Sequence, residues 1–147
     1  MLSGDMDFKK DESAGYLANH MARLFALALH EKVRPLGLAP AQFMTLLELW
    51  EEDGLTQKDL VRRLDVEQAT IANTLKRMER DGLVTRQANP DDRRAQLVRL
   101  TPQAKALRDE ATKAAAAVNE EALAGLSGEE RRDFVSMMTR VIAALKG

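Results

Sequence analysis

The feature that most constrains this chain is a pair of helix-start signatures only nine residues apart. Thr56 stands three residues before Asp59, and Asp65 stands three residues before Gln68. In such a signature a side-chain oxygen accepts a backbone N–H near the head of a helix. An acid or amide three residues on answers it, so two orphan donors are satisfied together. Leu60, Val61 and Leu64 give the first short helix a buried side. The second runs on to about Asp81, where Gly82 can end it in a left-handed turn. Two helices joined by a bare turn cannot lie side by side as a long hairpin. The second must cross the first steeply, which is the helix-turn-helix arrangement.

Beyond Gly82 the apolar period changes. Residues 83–86 and 96–100 read as short strands, the second alternating Val98 and Leu100 against Leu97 and Arg99. The segment between them, from Gln87 to Arg94, is polar and rich in turn formers. A two-stranded ribbon behind a helix-turn-helix is a wing. Upstream, Leu17, Met21, Leu24, Phe25 and Ala28 recur at helical spacing between about Ser13 and Arg34, and Pro35 and Gly37 break that helix. Pro40 suits the first turn of the next, which carries Phe43, Leu46, Leu47 and Trp50 and closes at Gly54. Downstream, Thr101 and Pro102 start one long helix with Leu107, Ala111 and Val118 inside, ended by Gly125. Ser127 with Glu130 caps a last helix bearing Phe134, Met137, Met138, Val141, Ile142 and Leu145. Residues 1–12 are polar and acidic and are expected to fray. The predicted fold is mainly α with a small β part (α+β), a winged helix-turn-helix with a helical lobe.

Composition excludes most chemistry. The 147 residues include no cysteine, which removes disulfides, thiolate catalysis, cysteine redox sensing and cysteine-bound zinc. Two histidines, with no Gly-x-Ser-x-Gly, no His-Glu-x-x-His and no glycine-rich phosphate loop, leave little machinery for an enzyme, and none is expected. No metal or cofactor is called for. The longest apolar run, Leu24 to Leu29, falls far short of the roughly 20 residues of a membrane span. Asp5, Asp7, Asp11 and Glu12 argue against a signal peptide, so the expected compartment is the cytoplasm. Net charge is only −1, yet residues 56–100 carry ten basic and seven acidic groups against five and nine in residues 1–55. A basic middle points to a polyanionic partner; a solvated, salt-laced surface has the same composition.

The helix over 66–80 makes that choice sharper. At 100° per residue, Ile71, Leu75 and Met78 face inward, while Ala69, Asn73, Lys76, Arg77 and Arg80 fall opposite, with Thr70 flanking. Gln68 lies off that face but in the first turn. The outer surface is small and polar at its start and basic toward its end. A helix entering a major groove by its N-terminus needs that order. Asn and Gln can bridge adenine N6 and N7, and Thr can donate, accept or offer a methyl. Gln68, Ala69, Thr70 and Asn73 are therefore the candidate base-reading positions. Arg77 can serve either base edges or phosphates. Lys76 and Arg80 are phosphate candidates, as is Thr56 at the head of the preceding helix. At the ribbon tip, Arg93 and Arg94 stand beside Asp91 and Asp92. An arginine there can enter a narrow minor groove while a nearby carboxylate holds its guanidinium. An exposed amphipathic helix and a charged turn would carry similar residues.

From Gly54 to Thr101 the chain resembles the MarR and SlyA-type family of bacterial winged helix transcription factors. The residues that carry the resemblance are Leu55-Thr56-Gln57-Lys58-Asp59-Leu60, Val66-Glu67-Gln68-Ala69-Thr70, Leu75-Lys76-Arg77-Met78-Glu79-Arg80-Asp81-Gly82-Leu83-Val84, Asp92-Arg93-Arg94-Ala95 and Leu100-Thr101. It implies a homodimer that binds pseudo-palindromic operators in double-stranded DNA, most simply as a repressor. Residues 37–101 would form the DNA-binding winged helix, and 1–36 with 102–147 the dimerisation lobe. By position Arg94 is the minor-groove arginine and Asp92 its orienting carboxylate. The resemblance also implies release by a small phenolic or carboxylate effector held between lobe and head. Candidates to line such a pocket from the first two helices are Tyr16, His20, Phe43, Leu47 and Trp50. A histidine placed like His20 is more often a hydrogen-bonded structural group than a ligand contact, and residues like Phe43 and Trp50 are more often plain core. The family often has glycine where Ala104 stands, and its thiol-sensing branch needs a cysteine that this chain lacks. The alternative to DNA binding is a winged helix used only for protein contacts.

Overall fold

A computed structural model describes residues 7–147. Its elements are α1 (Ala14–Val33), α2 (Pro40–Glu51), β1 (Leu55–Thr56), α3 (Gln57–Leu64), α4 (Gln68–Arg80), β2 (Val84–Ala88), β3 (Gln96–Leu100), α5 (Pro102–Ala106), α6 (Arg108–Ala122) and α7 (Gly128–Lys146). The fold class is as predicted, a winged helix-turn-helix within a mainly helical chain. Of the expected frayed segment, residues 1–6 lie outside the described residues, and Lys10–Glu12 forms one 3-10 turn ahead of α1.

Local chemistry accounts for most of the helix ends. Ser13 Oγ accepts the Tyr16 N–H at 3.2 Å and opens α1. Thr56 Oγ1 accepts from Asp59 N–H at 3.1 Å while Asp59 Oδ2 accepts from Thr56 N–H at 3.0 Å, the reciprocal cap expected of α3. Ser127 and Glu130 do the same for α7. The second signature is not a cap. Asp65 closes α3 in the left-handed conformation, with φ 53°, and Glu67 precedes α4 without any side-chain cap bond. Asp tolerates that conformation better than most residues. Spacing alone could not tell a residue that ends one helix from one that starts the next.

Two other expectations change. The ribbon is a three-stranded antiparallel sheet in the order β1-β3-β2, with Leu55 opposite Val98 and Val84 opposite Leu100. β1 has two residues, too short to show a period of two. The single long helix expected from Thr101 is two, divided at Leu107, whose N–H turns to the Ala104 carbonyl at 3.2 Å.

The core is one cluster. Phe43, Leu46 and Leu49 of α2, Leu60 of α3, Ile71, Leu75 and Met78 of α4, and Val84 and Val98 of the sheet are all buried. Val33, Ala104 and Ala111 join it, so the cluster runs without a break across the boundaries expected at 36/37 and 101/102. Ala104 is fully buried and its carbonyl receives the Trp50 indole N–H at 3.0 Å. α1 packs along α6. α7 has no buried residue, and Val135, Met137, Val141, Ile142 and Leu145 stand more than half exposed. Among the described residues no helix is long and apolar enough to cross a membrane, and no group of His, Asp or Glu gathers as a metal site.

Candidate nucleic-acid interface

The inward stripe of α4 behaves as its spacing requires. Ile71, Leu75 and Met78 are buried, with Thr74 beside them. That seating turns Gln68, Ala69, Thr70, Asn73, Lys76, Arg77 and Arg80 to the surface, where all are exposed. None of Gln68, Asn73 and Lys76 makes a side-chain hydrogen bond among the described residues, so their donors and acceptors stay available. The first turn of α4 has no side-chain cap. Its N–H groups and the positive end of the helix therefore face outward, the setting that favours an anion.

The wing folds back toward that end. A cleft of about 470 Å³ is lined by Thr56, Gln57, Lys58, Gln68, Arg86, Arg93, Arg94, Ala95 and Gln96. No lining residue is acidic. Predicted residues from three separate stretches, Thr56, Gln68 and the two wing arginines, thus meet in one place. The wing turn is held by Asn89 Oδ1 accepting from Asp91 N–H at 2.9 Å and Asp92 Oδ1 accepting from Arg94 N–H at 3.0 Å. Asp92 Oδ1 also lies 3.4 Å from Arg94 Nε, while the Arg94 side chain is 93% exposed. The carboxylate holds the Arg94 backbone and touches its guanidinium only at Nε, leaving the rest of the side chain in solvent.

Arg86 was not among the predicted residues. Its side chain is only 21% exposed, and its Nε donates to Glu79 Oε1 at 3.1 Å, tying β2 to α4. The alternation Val84, Arg86 on the inner face of β2 carried that signal, because residues two apart in a strand share a face. Arg80 is engaged as well: its Nε donates to Asp81 Oδ1 at 3.1 Å. The Arg80 bond, then the Gln42 amide, hold the Asp81 carboxyl below its usual range. Asp59 is lowered too, first by the Thr56 backbone N–H. Arg77 and Arg80 line a second cleft of about 440 Å³, with Arg34, Leu38, Gln42 and Asp81, on the opposite flank of α4.

The effector-pocket candidates are spread out. Phe43 and Trp50 are buried edge to face, with ring centroids 6.0 Å apart, and Leu47 is half-buried beside them. Tyr16 and His20 pair at 6.1 Å on the exposed first half of α1. Neither cleft is lined by any of the five.

A winged helix with an uncapped, exposed second helix and an acid-free basic cleft beside it has the arrangement of DNA-binding transcriptional regulators. The family model described as MarR matches residues 38–95. An uncharacterized HTH-type transcriptional regulator of Bacillus subtilis, YwoH, is 34% identical over 116 residues, 79% of this chain and 84% of that one. A second from the same organism, YdgJ, is 31% identical over 105 residues, 71% of this chain but 64% of its own length. Among solved structures, a probable transcriptional regulator from Pseudomonas aeruginosa aligns with a TM-score of 0.83 and 31% identity, covering 90% of this chain and 99% of that one. The structure of reduced AbfR bound to DNA aligns with a TM-score of 0.75 and 27% identity over 89% of this chain and 88% of that one. The chain belongs to the MarR family of transcriptional regulators.

Proposed function

We propose that the chain is a homodimeric repressor that reads a pseudo-palindromic operator. The N-terminal turns of α4 enter successive major grooves and Arg94 enters the flanking minor grooves. The observation that carries this reading is the convergence of Thr56, Lys58, Gln68, Arg86, Arg93 and Arg94 around one cleft with no acidic lining. Gln68, Thr70 and Asn73 supply base contacts, with Ala69 leaving room for close approach. Thr56, Lys76 and Arg80 serve phosphates, and Arg77 sits where either is in reach.

Pairing of two chains answers a separate problem. Leu24 and Leu27 of α1 and Val141, Ile142 and Leu145 of α7 are more than half exposed. Helices that expose this many large apolar side chains need a cover. A second copy joined through residues 1–36 and 102–147 supplies it and puts two recognition helices on a dyad. Release by a small phenolic or carboxylate ligand draws its support from the family resemblance, with Tyr16, His20, Phe43, Leu47 and Trp50 as the candidate contacts. Operators lie in the cytoplasm, and so would the protein.

Selection of bound duplexes from a random pool tests the reading. The expected product is an inverted repeat with half-sites about one helical turn apart, bound by two chains. A stable dimer that enriches no sequence and ignores duplexes at low salt would instead make this winged helix a protein-contact module. Gel shifts of the selected operator with a panel of phenolic acids test release.

A further inference from the structure

Three polar residues of the described chain are buried, Gln42, Thr45 and Thr74. The two threonines return their hydroxyls to carbonyls four residues back in their own helices. Gln42 does otherwise. Its Oε1 accepts the N–H of the N-cap residue Ala39 at 3.0 Å, the half of a reciprocal cap that does not depend on an N-cap side chain. Its Nε2 donates to Asp81 Oδ2 at 2.9 Å, thirty-nine residues away at the end of α4. Asp81 occupies the negative end of that helix, a poor place for a carboxylate. Gln42 and Arg80 supply the donors that keep it there.

The same end is gripped from the other side. Thr101 Oγ1 donates to the Gly82 carbonyl at 2.7 Å, and Thr101 N–H donates to the Leu83 carbonyl at 3.1 Å. The C-terminal end of α4 is thus a fixed pivot, while its groove-facing first turn is uncapped. Over a lever of about 18 Å, a tilt of about 5° moves that first turn by about 1.5 Å. The corner that holds the pivot continues directly from α1. Leu38 N–H donates to the Val33 carbonyl at 3.2 Å, and Ala39 then bonds to Gln42.

We propose that Gln42 is a positioning residue for DNA recognition: its buried carboxamide fixes the tilt of α4 against the α1–α2 corner and so places the base-reading turn. This rests on the reading that α4 enters DNA, and the test separates the two. The chain has no cysteine. The double variant Glu31→Cys/Glu67→Cys therefore takes two spin labels, one on α1 and one at the head of α4, measured in an excess of unlabelled chain. Gln42→Glu leaves the cap acceptor but faces Asp81 with a second carboxylate. It should shift or broaden the label distance and weaken binding to the selected operator about tenfold, the size of one lost charge-assisted hydrogen bond. Adding Asp81→Asn reverses donor and acceptor, and both readouts should return toward the wild type. Gln42→Met, which keeps the volume, covers the case in which the charged variant fails to fold, and should shift the distance likewise. An unchanged distance with wild-type affinity, or no rescue by Asp81→Asn, overturns the proposal. If the wild-type chain binds no duplex, the DNA reading fails, and the label distance alone decides whether Gln42 holds the helix.

Discussion

At the residue scale, the interface divides its cations by how they are held. Arg86, Arg80 and Arg94 each set Nε against a carboxylate of the chain, Glu79, Asp81 and Asp92, but the Arg94 contact is the longest, at 3.4 Å, and its side chain is the most exposed. An arginine held loosely at Nε, with its other donors open to solvent, suits the deep negative potential of a narrow minor groove. Arg94→Ala should therefore weaken operators with A·T-rich flanks more than those with G·C-rich flanks. Lys76→Ala removes an unpaired cation from the helix face, so it should weaken all sequences alike and lower the salt slope of log K by about one unit. Titrations of both variants at several salt concentrations on two operators check the pair. Loss of the same factor on every sequence for both variants would count against a groove role for Arg94. The exposed face of α4 was legible because a helix face can be drawn from residue numbers alone. Gln42 was not: a glutamine three residues into a helix looks like solvent-facing polar filler until Asp81 is seen to stand over it.

At the element scale, the short helix α3 depends on its cap. It has eight residues, marginal for a helix without tertiary support, and the Thr56–Asp59 reciprocal bonds satisfy two of its orphan donors. Thr56→Ala should destabilise the fold by about 1 kcal/mol in urea unfolding. The Asp59 carboxyl lies below its ordinary range because the Thr56 N–H bonds its charged form. The unfolded chain then takes up protons at a higher pH than the folded one. The stabilisation is complete above the ordinary carboxylate range and is lost as pH falls through the depressed folded value. Asp59→Asn should be less stable than the wild type at pH 7, with the gap closing under acid. A gap that stays constant down to pH 3 would show that the charge is irrelevant. This cap was readable because both partners lie within four residues. The false signature at Asp65 and the missed strand β1 mark the limit of local reading. A left-handed closure and a two-residue strand are set by what crosses them, here the turn into α4 and the pairing of Leu55 with Val98.

At the scale of the whole molecule, the described chain leaves one side of its outer helices bare. If two chains join there, a charge placed in the middle of α7 should separate them. Ile142→Arg, at a side chain 54% exposed in the single chain, should leave the core cluster untouched and yield a folded monomer in sedimentation. Operator affinity should then fall by orders of magnitude, since each chain reads one half-site. A variant that still sediments as the wild type would place the pairing surface elsewhere. The amphipathic character of the outer helices is legible in the sequence, but that α7 buries none of its residues in its own chain becomes visible only in the structure.

Trp50 is the chain's sole tryptophan, and its indole sits 8% exposed with its N–H on the Ala104 carbonyl, where α2 meets α5. The molecule therefore carries its own optical gauge, placed at the joint between the outer helices and the head. Excitation at the red edge should give a blue, narrow emission from the native protein. An effector or operator that bends that joint should move the band, and one that merely contacts the surface should leave it still.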